Sequence, residues 1–167
     1  MKMKISRTAT EEQVGKNLEQ IFDISSDSTE IKLENFPKYI RRKSVTRFLA
    51  LYELFKKALK VKGSIVECGV YQGFSLMSWA KMSAVLEPAN LTRRIYGFDT
   101  FEGFDENQLQ EDIIRGYTDS HSRSEKSFQT NIEMVLSKMP HRENAIIKQG
   151  VFPNSLGGLE DKFCFVS

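Results

Sequence analysis

Cysteine and histidine are scarce in this sequence, which holds only two of each in 167 residues. Zinc sites need Cys and His ligands clustered at short spacings, so this scatter excludes a zinc-binding domain. Cys68 and Cys164 stand in separate apolar runs, which predicts buried, reduced thiols rather than a disulfide scaffold. We therefore expect a cytoplasmic protein.

Charge of one sign and long apolar runs are also lacking. The formal net charge is +2, and the only dense basic run, residues 38–43, fits a solvated helix start better than a phosphate contact. No stretch reaches the apolar length of a membrane span, and the N-terminus has no signal-peptide core. We expect neither a nucleic-acid partner nor membrane association.

Apolar residues recur at helical and strand spacings along the chain. The predicted helices cover residues 14–22, 42–60, 74–86 and 128–139, with loops at 23–35 and 105–123. The predicted strands cover residues 65–68, 95–98, 145–148 and 162–166. Strands that alternate with helices indicate an α/β fold, with a parallel sheet and helices on both faces. We expect an N-terminal helical extension or lid at 1–62 and a partial doubly wound domain at 63–167.

A glycine-containing turn follows the first predicted strand, within IVECGVYQGFS at residues 65–75. Ligands of parallel sheets bind beyond the carboxyl ends of the strands, where this turn lies. Gly69 and Gly73 would let a ligand approach the backbone, and the next helix begins there with free N–H groups. The turn lacks the G-x-G-x-x-G pattern of dinucleotide sites, which argues against an NAD-dependent oxidoreductase.

Acidic residues stand at the ends of the first two predicted strands. Glu67 would repel a pyrophosphate and suits an ammonium group, while Asp99 stands where an acid accepts hydrogen bonds from ribose hydroxyls. A ligand with an ammonium group, ribose hydroxyls and no phosphate is S-adenosylmethionine (SAM). Structural roles remain open, with Glu67 as a buried paired carboxylate, the glycines as turn formers and Asp99 as a cap.

Three segments in a consistent order resemble the macrocin O-methyltransferase family of class I SAM-dependent methyltransferases. They are the turn at 67–75, IYGFDTFEGF at 95–104 and IIKQGVFPNSL at 146–156. Phe74 departs from the family pattern, which has a glycine there. The resemblance covers about residues 40–167 and implies a Rossmann-like fold whose C-terminal strands are absent from this sequence.

The resemblance also implies which residues hold SAM. One group is expected at the methionine portion and ribose of SAM, or at the start of the helix beneath them. This group contains Glu67, Gly69, Val70, Tyr71, Gly73 and Ser75. Those expected around the adenosine are Asp99 on the ribose hydroxyls, Thr100, Phe101, Gly150, Val151 and Phe152.

The implied reaction is methyl transfer from SAM to a hydroxyl of a small molecule, such as a sugar. No catalytic residue is assigned, because the family's general base and its divalent metal site, usually for magnesium, belong to a region beyond residue 167. We expect this chain to be the cofactor-binding half of an enzyme and to show little turnover alone. We also expect its fourth strand to form an apolar edge of the sheet, which a second copy of the chain covers in a homo-oligomer. The alternatives are a non-catalytic SAM- or nucleotide-binding module and an inactive fragment.

Overall fold

A computed structural model describes residues 9–102, 126–138, 144–151 and 154–166 of the chain. The chain divides into two compact units, residues 1–50 and 51–167. The division at residue 62 inferred from the sequence stays a prediction. No helix within the described residues is long and apolar enough to cross a membrane.

The helices follow the predicted order, with one addition. Their bounds are Ala9–Ile24 (α1), Thr29–Glu34 (α2), Arg42–Ala58 (α3), Phe74–Leu86 (α4) and Lys126–Lys138 (α5). Short 3₁₀ turns occupy Phe36–Lys38 and Asn154–Leu156. The predicted loop at 105–123 lies outside the described residues.

Helix α2 corrects the prediction of a loop over residues 23–35. Side chains cap both of its ends: Ser28 Oγ accepts a hydrogen bond from the Ile31 N–H at 3.3 Å, and Asn35 Nδ2 donates to the Ile31 carbonyl at 3.0 Å. A helix of 6 residues has too few apolar positions to show a periodic pattern. Its stability depends on these caps, which satisfy backbone groups that a short helix leaves free.

The strands form one parallel sheet, which confirms the predicted fold class. Their bounds are Ser64–Cys68 (β1), Ile95–Asp99 (β2), Ala145–Gln149 (β3) and Phe163–Val166 (β4). The 4-stranded sheet has the order β3-β2-β1-β4, and each neighbouring pair is parallel. Strand β4 therefore lies at an edge of the described sheet, as expected.

Both faces of the sheet are covered by apolar side chains. On one face, Trp79 of α4 is fully buried between the rings of Phe55 and Phe165, at centroid distances of 6.0 and 5.6 Å. The other face carries a smaller cluster that includes Tyr96 and Phe98 of β2. Helices α3, α4 and α5 all contribute to the first cluster, whereas no α-helix of the described residues contributes to the second.

The cysteines differ from the expectation of buried thiols. Cys68 is exposed, since it is the last residue of β1, and Cys164 is half-buried; both are free. The partial burial that Cys68 retains and the nearby Glu67 carboxylate raise the pKa of its thiol. Arg93 Nη1 donates a hydrogen bond to Cys164 Sγ at 2.9 Å.

Candidate functional site

The turn after β1 has an unusual backbone at three alternate positions. Gly69, Tyr71 and Gly73 have positive φ angles of 85°, 51° and 81°. The Gly69 N–H donates to the Phe98 carbonyl of β2 at 2.8 Å, which fixes the start of the turn on the sheet. A Cβ added at Gly69 would have no other atom within 4 Å. The space beside Gly69 is therefore open, and a ligand could approach the backbone there.

Glu67 and Asp99 lie on the same face of the sheet. Glu67 of β1 is opposite Gly97 of β2, and side chains two residues apart on a strand share a face. The Glu67 side chain is buried, with the residue 5% exposed, whereas Asp99 is half-buried. The predicted acidic pair is thus brought to one edge of the sheet, with Glu67 deeper than Asp99.

The Asp99 carboxylate connects the turns that follow β1 and β2. Its Oδ2 accepts a hydrogen bond from the Tyr71 N–H at 2.8 Å, and its Oδ1 accepts one from the Phe101 N–H at 2.9 Å. A carboxylate has about four lone-pair sites, so each oxygen can accept a further hydrogen bond. Asp99 therefore has the structural role that the sequence left open and retains capacity to bind a hydroxyl group.

The end of β3 joins the same edge. The Gly150 N–H donates to the Asp99 carbonyl at 3.0 Å, and Gln149 Nε2 donates to the Thr100 carbonyl at 3.2 Å. Sequence reasoning missed Gln149, which directly follows a predicted strand; its register opposite Asp99 is seen only in the structure. Val151 is 62% exposed beside Gly150.

Helix α5 adds two further residues that the sequence did not indicate. The ring of Phe128 packs edge-on against Tyr71, with centroids 5.3 Å apart. A Cβ at Gly73 would lie 3.0 Å from Ile132, so α5 approaches the turn closely there. Both residues belong to the apolar face of α5, and nothing in that repeating pattern distinguishes a contact with the turn from an ordinary core contact.

Several predicted site residues have side chains in the core rather than at the open edge. Val70, Ser75 and Phe101 are 3%, 6% and 2% exposed. Val70 and Phe101 therefore offer a ligand little accessible surface in this structure. Thr100 is half-buried, and its hydroxyl accepts a hydrogen bond from the Glu102 N–H at 3.3 Å. The predicted adenine contact at residue 152 falls outside the described residues.

The chemistry of this edge favours cations and hydroxyl donors over phosphates. It carries two acids on one face, Glu67 and Asp99. Within the described ranges, no group of three or more His, Cys, Asp or Glu side chains could hold a metal ion. The magnesium site that the family resemblance implies belongs to a region beyond residue 167 and stays a prediction.

Comparison with solved structures identifies methyltransferases of the same fold. The crystal structure of CalS11, a calicheamicin methyltransferase, matches with a TM-score of 0.72 and 25% identity, over 87% of this chain and 60% of CalS11. The apo structure of CalS11, described as a TDP-rhamnose 3'-O-methyltransferase, matches with a TM-score of 0.69 and 24% identity, over 91% of this chain and 62% of that one. No protein-family model and no curated protein sequence matches.

These neighbours show that the chain has a Rossmann-like methyltransferase fold. The chain spans less than two thirds of the length of either matched CalS11 structure, at 60% and 62%.

Proposed function

We propose that this chain binds SAM at the carboxyl edge of its sheet and serves a methyltransferase that modifies a hydroxyl of a small molecule. The observation that carries the proposal is the pair of acids, Glu67 and Asp99, on one sheet face beside a turn that has open space at Gly69. The similarity to CalS11 supports the same cofactor chemistry. The acceptor class is a sugar or a glycosylated compound, in line with the resemblance to macrocin O-methyltransferases.

The cofactor would supply a methyl group activated by a positively charged sulfur. Glu67 would hold the ammonium group of the methionine portion, because a buried carboxylate favours a cation beside it. Asp99 would accept hydrogen bonds from the ribose hydroxyls through lone pairs that the Tyr71 and Phe101 N–H groups leave unused. The backbone at Gly150 and Val151, with Phe152, would flank the adenine.

These residues bind and orient, and they contribute to rate by positioning the methyl group for in-line attack by an acceptor oxygen. A general base is not assigned among the described residues. The function of this chain is therefore proposed as cofactor binding, and acceptor activation is proposed for the complete methyltransferase.

Calorimetric titration of the 167-residue chain with SAM tests the proposal. We expect saturable binding of one SAM per chain, weakened at least tenfold by Gly69→Ala. The added methyl group would enter the space assigned to the cofactor and would also strain a backbone with φ of 85°. NADH and ATP should not compete, since the acids repel their phosphates.

Gly158→Ala is the matched control for the backbone strain. Gly158 has a φ of 81°, and a Cβ there also meets nothing within 4 Å, but the residue lies in the turn after Asn154–Leu156. Both variants should lose similar stability, and only Gly69→Ala should lose SAM affinity. Absence of SAM binding, or equal loss in both variants, would refute the site.

A further inference from the structure

Two residues in the described part of the chain combine a side chain larger than hydrogen with a positive φ angle. They are Tyr71, with φ of 51°, and Phe101, with φ of 55°. Such a conformation costs an L-residue a factor of roughly 5 to 30 in an equilibrium constant. It persists only where surrounding interactions hold it.

One side chain contacts both strained residues. The Asp99 carboxylate accepts the Tyr71 N–H at 2.8 Å on one oxygen and the Phe101 N–H at 2.9 Å on the other. Hydrogen bonds to an ionised acceptor are about twice as strong as neutral ones. The strained positions lie in the two turns that form the proposed SAM site, and 28 residues separate Tyr71 from Asp99 in sequence.

We propose that Asp99 is a positioning residue that holds both turns in their left-handed conformations, so that the site is formed before the cofactor arrives. This inference rests on the proposed binding of SAM and adds to any direct bond between Asp99 and the ribose. Phe101 is a buried residue, at 2% exposure, whereas Tyr71 is 39% exposed and its ring has an edge-on contact with Phe128. The turn after β1 therefore depends more on the carboxylate than the turn after β2 does.

The neighbouring interactions explain why loss of the carboxylate would disturb the ligand space. The Gly69 N–H bonds to the Phe98 carbonyl, and the Gly73 N–H bonds to the Val70 carbonyl, each at 2.8 Å. These bonds fix the two ends of the turn and leave Tyr71 between them. If Tyr71 relaxed to a negative φ, the peptide groups beside the open space at Gly69 would move.

A double-mutant cycle separates this positioning role from direct contact with the ribose. Asp99→Ala removes both acceptor oxygens, and Asp99→Asn is a milder second variant in case the first fails to fold. Each is combined with Tyr71→Gly, which removes the ring and the backbone strain, and with Tyr71→Ala, which removes the ring but keeps the strain. The readouts are the dissociation constant for SAM and the unfolding midpoint in urea without SAM.

The Asp99 substitution should weaken SAM binding by about 5- to 30-fold more in the wild-type and Tyr71→Ala backgrounds than in the Tyr71→Gly background. The unfolding midpoint without SAM should show the same background dependence. Asp161→Ala is the control, because Asp161 also accepts a backbone N–H, from Lys162, but bonds to Ser64 at the opposite end of β1. The effects of Asp161→Ala on SAM binding and on the unfolding midpoint should add to those of Tyr71→Gly without coupling.

If the Asp99 substitution costs the same SAM affinity in the wild-type, Tyr71→Ala and Tyr71→Gly backgrounds, Asp99 acts through the cofactor alone and the inference is overturned. The Asp99 substitution could instead cost less SAM affinity in both the Tyr71→Ala and the Tyr71→Gly backgrounds than in the wild type, and by the same amount. That result would assign the coupling to the aromatic ring and would also overturn the inference. If the wild-type chain does not bind SAM, the proposed function fails on its own. The unfolding cycle without cofactor still tests Asp99 in that case.

Discussion

At the scale of single residues, Gly97 determines whether the turn after β1 can fold onto the sheet. An added Cβ at this position would lie 2.7 Å from Val70 Cγ2 and 3.1 Å from Leu76 Cδ1. Both neighbours are buried, at 3% and 0% exposure. The missing side chain on β2 therefore makes room for the first residues of the turn and of α4, and so places the turn over the strand ends.

We predict that Gly97→Ala lowers the free energy of unfolding by about 1–3 kcal/mol, because the added methyl overpacks a filled core. Alanine ordinarily suits a strand better than glycine, so intrinsic strand preference alone would predict that Gly97→Ala raises the free energy of unfolding. Urea unfolding measures the change. Gly157→Ala is the control, since its Cβ would lie at an ordinary 3.6 Å from the Asn154 carbonyl. Similar stabilities for both variants would contradict this account of Gly97.

At the scale of secondary-structure elements, Arg93 connects the end of α3 to the start of β1. The residue is 4% exposed, and its guanidinium donates to the carbonyls of Gly63 at 2.6 Å and of Ala58 and Val61 at 3.1 Å. Cations stabilise the carbonyl end of a helix. Its Nε also forms an ion pair at 2.7 Å with Glu87, just after α4.

We predict that Arg93→Met destabilises the chain by about 3–5 kcal/mol, because Glu87 would be left as a buried charge without its cation. Adding Glu87→Gln should recover part of this loss. Lys56→Met is the surface control, since Lys56 and Glu53 form an exposed pair at 2.9 Å and such pairs contribute at most about 1 kcal/mol. A loss for Arg93→Met no larger than for Lys56→Met would refute this connecting role.

At the scale of the whole molecule, Asp161 joins three strands at the end of the sheet opposite the proposed site. Its Oδ2 accepts hydrogen bonds from Ser64 Oγ of β1 at 2.5 Å and from Tyr96 Oη of β2 at 3.2 Å. Its Oδ1 accepts the Lys162 N–H at 2.7 Å, just before β4. Partial burial opposes ionisation, but these hydrogen bonds outweigh it and lower the pKa of Asp161 below its usual value of 3.8.

A carboxyl group whose pKa is lower in the folded state stabilises the fold above its unfolded pKa. This contribution is lost as the pH falls through the folded value. We therefore predict that the free energy of unfolding decreases as the pH falls below about 4. Asp161→Asn should cost about 1–3 kcal/mol at pH 7 and should flatten this acid dependence. Urea unfolding at pH 7 and pH 3 measures both effects, and an unchanged acid slope in the variant would contradict the assignment.

The sequence by itself determined the order of the strands and of the longer helices, and the edge of the sheet at which the two acids meet. Strands and helices show local apolar periodicity, and glycines after a strand indicate a turn. These elements and turns can therefore be predicted without knowledge of distant contacts. For the same reason the acids Glu67 and Asp99 could be assigned to one edge, because parallel strands end together. The parallel sheet confirms this organisation.

Only the tertiary structure decided which groups meet. Asp99 bonds to Tyr71 across 28 residues, and Arg93 reaches Ala58 across 35, which requires the strand register and the helix packing. The exposure of Cys68 likewise follows from its place at the carboxyl end of β1, where the buried part of the strand stops. The apolar repeat along a sequence indicates which side chains prefer burial. It does not indicate which residues form hydrogen bonds with each other, because those partners are brought together only by the folded chain.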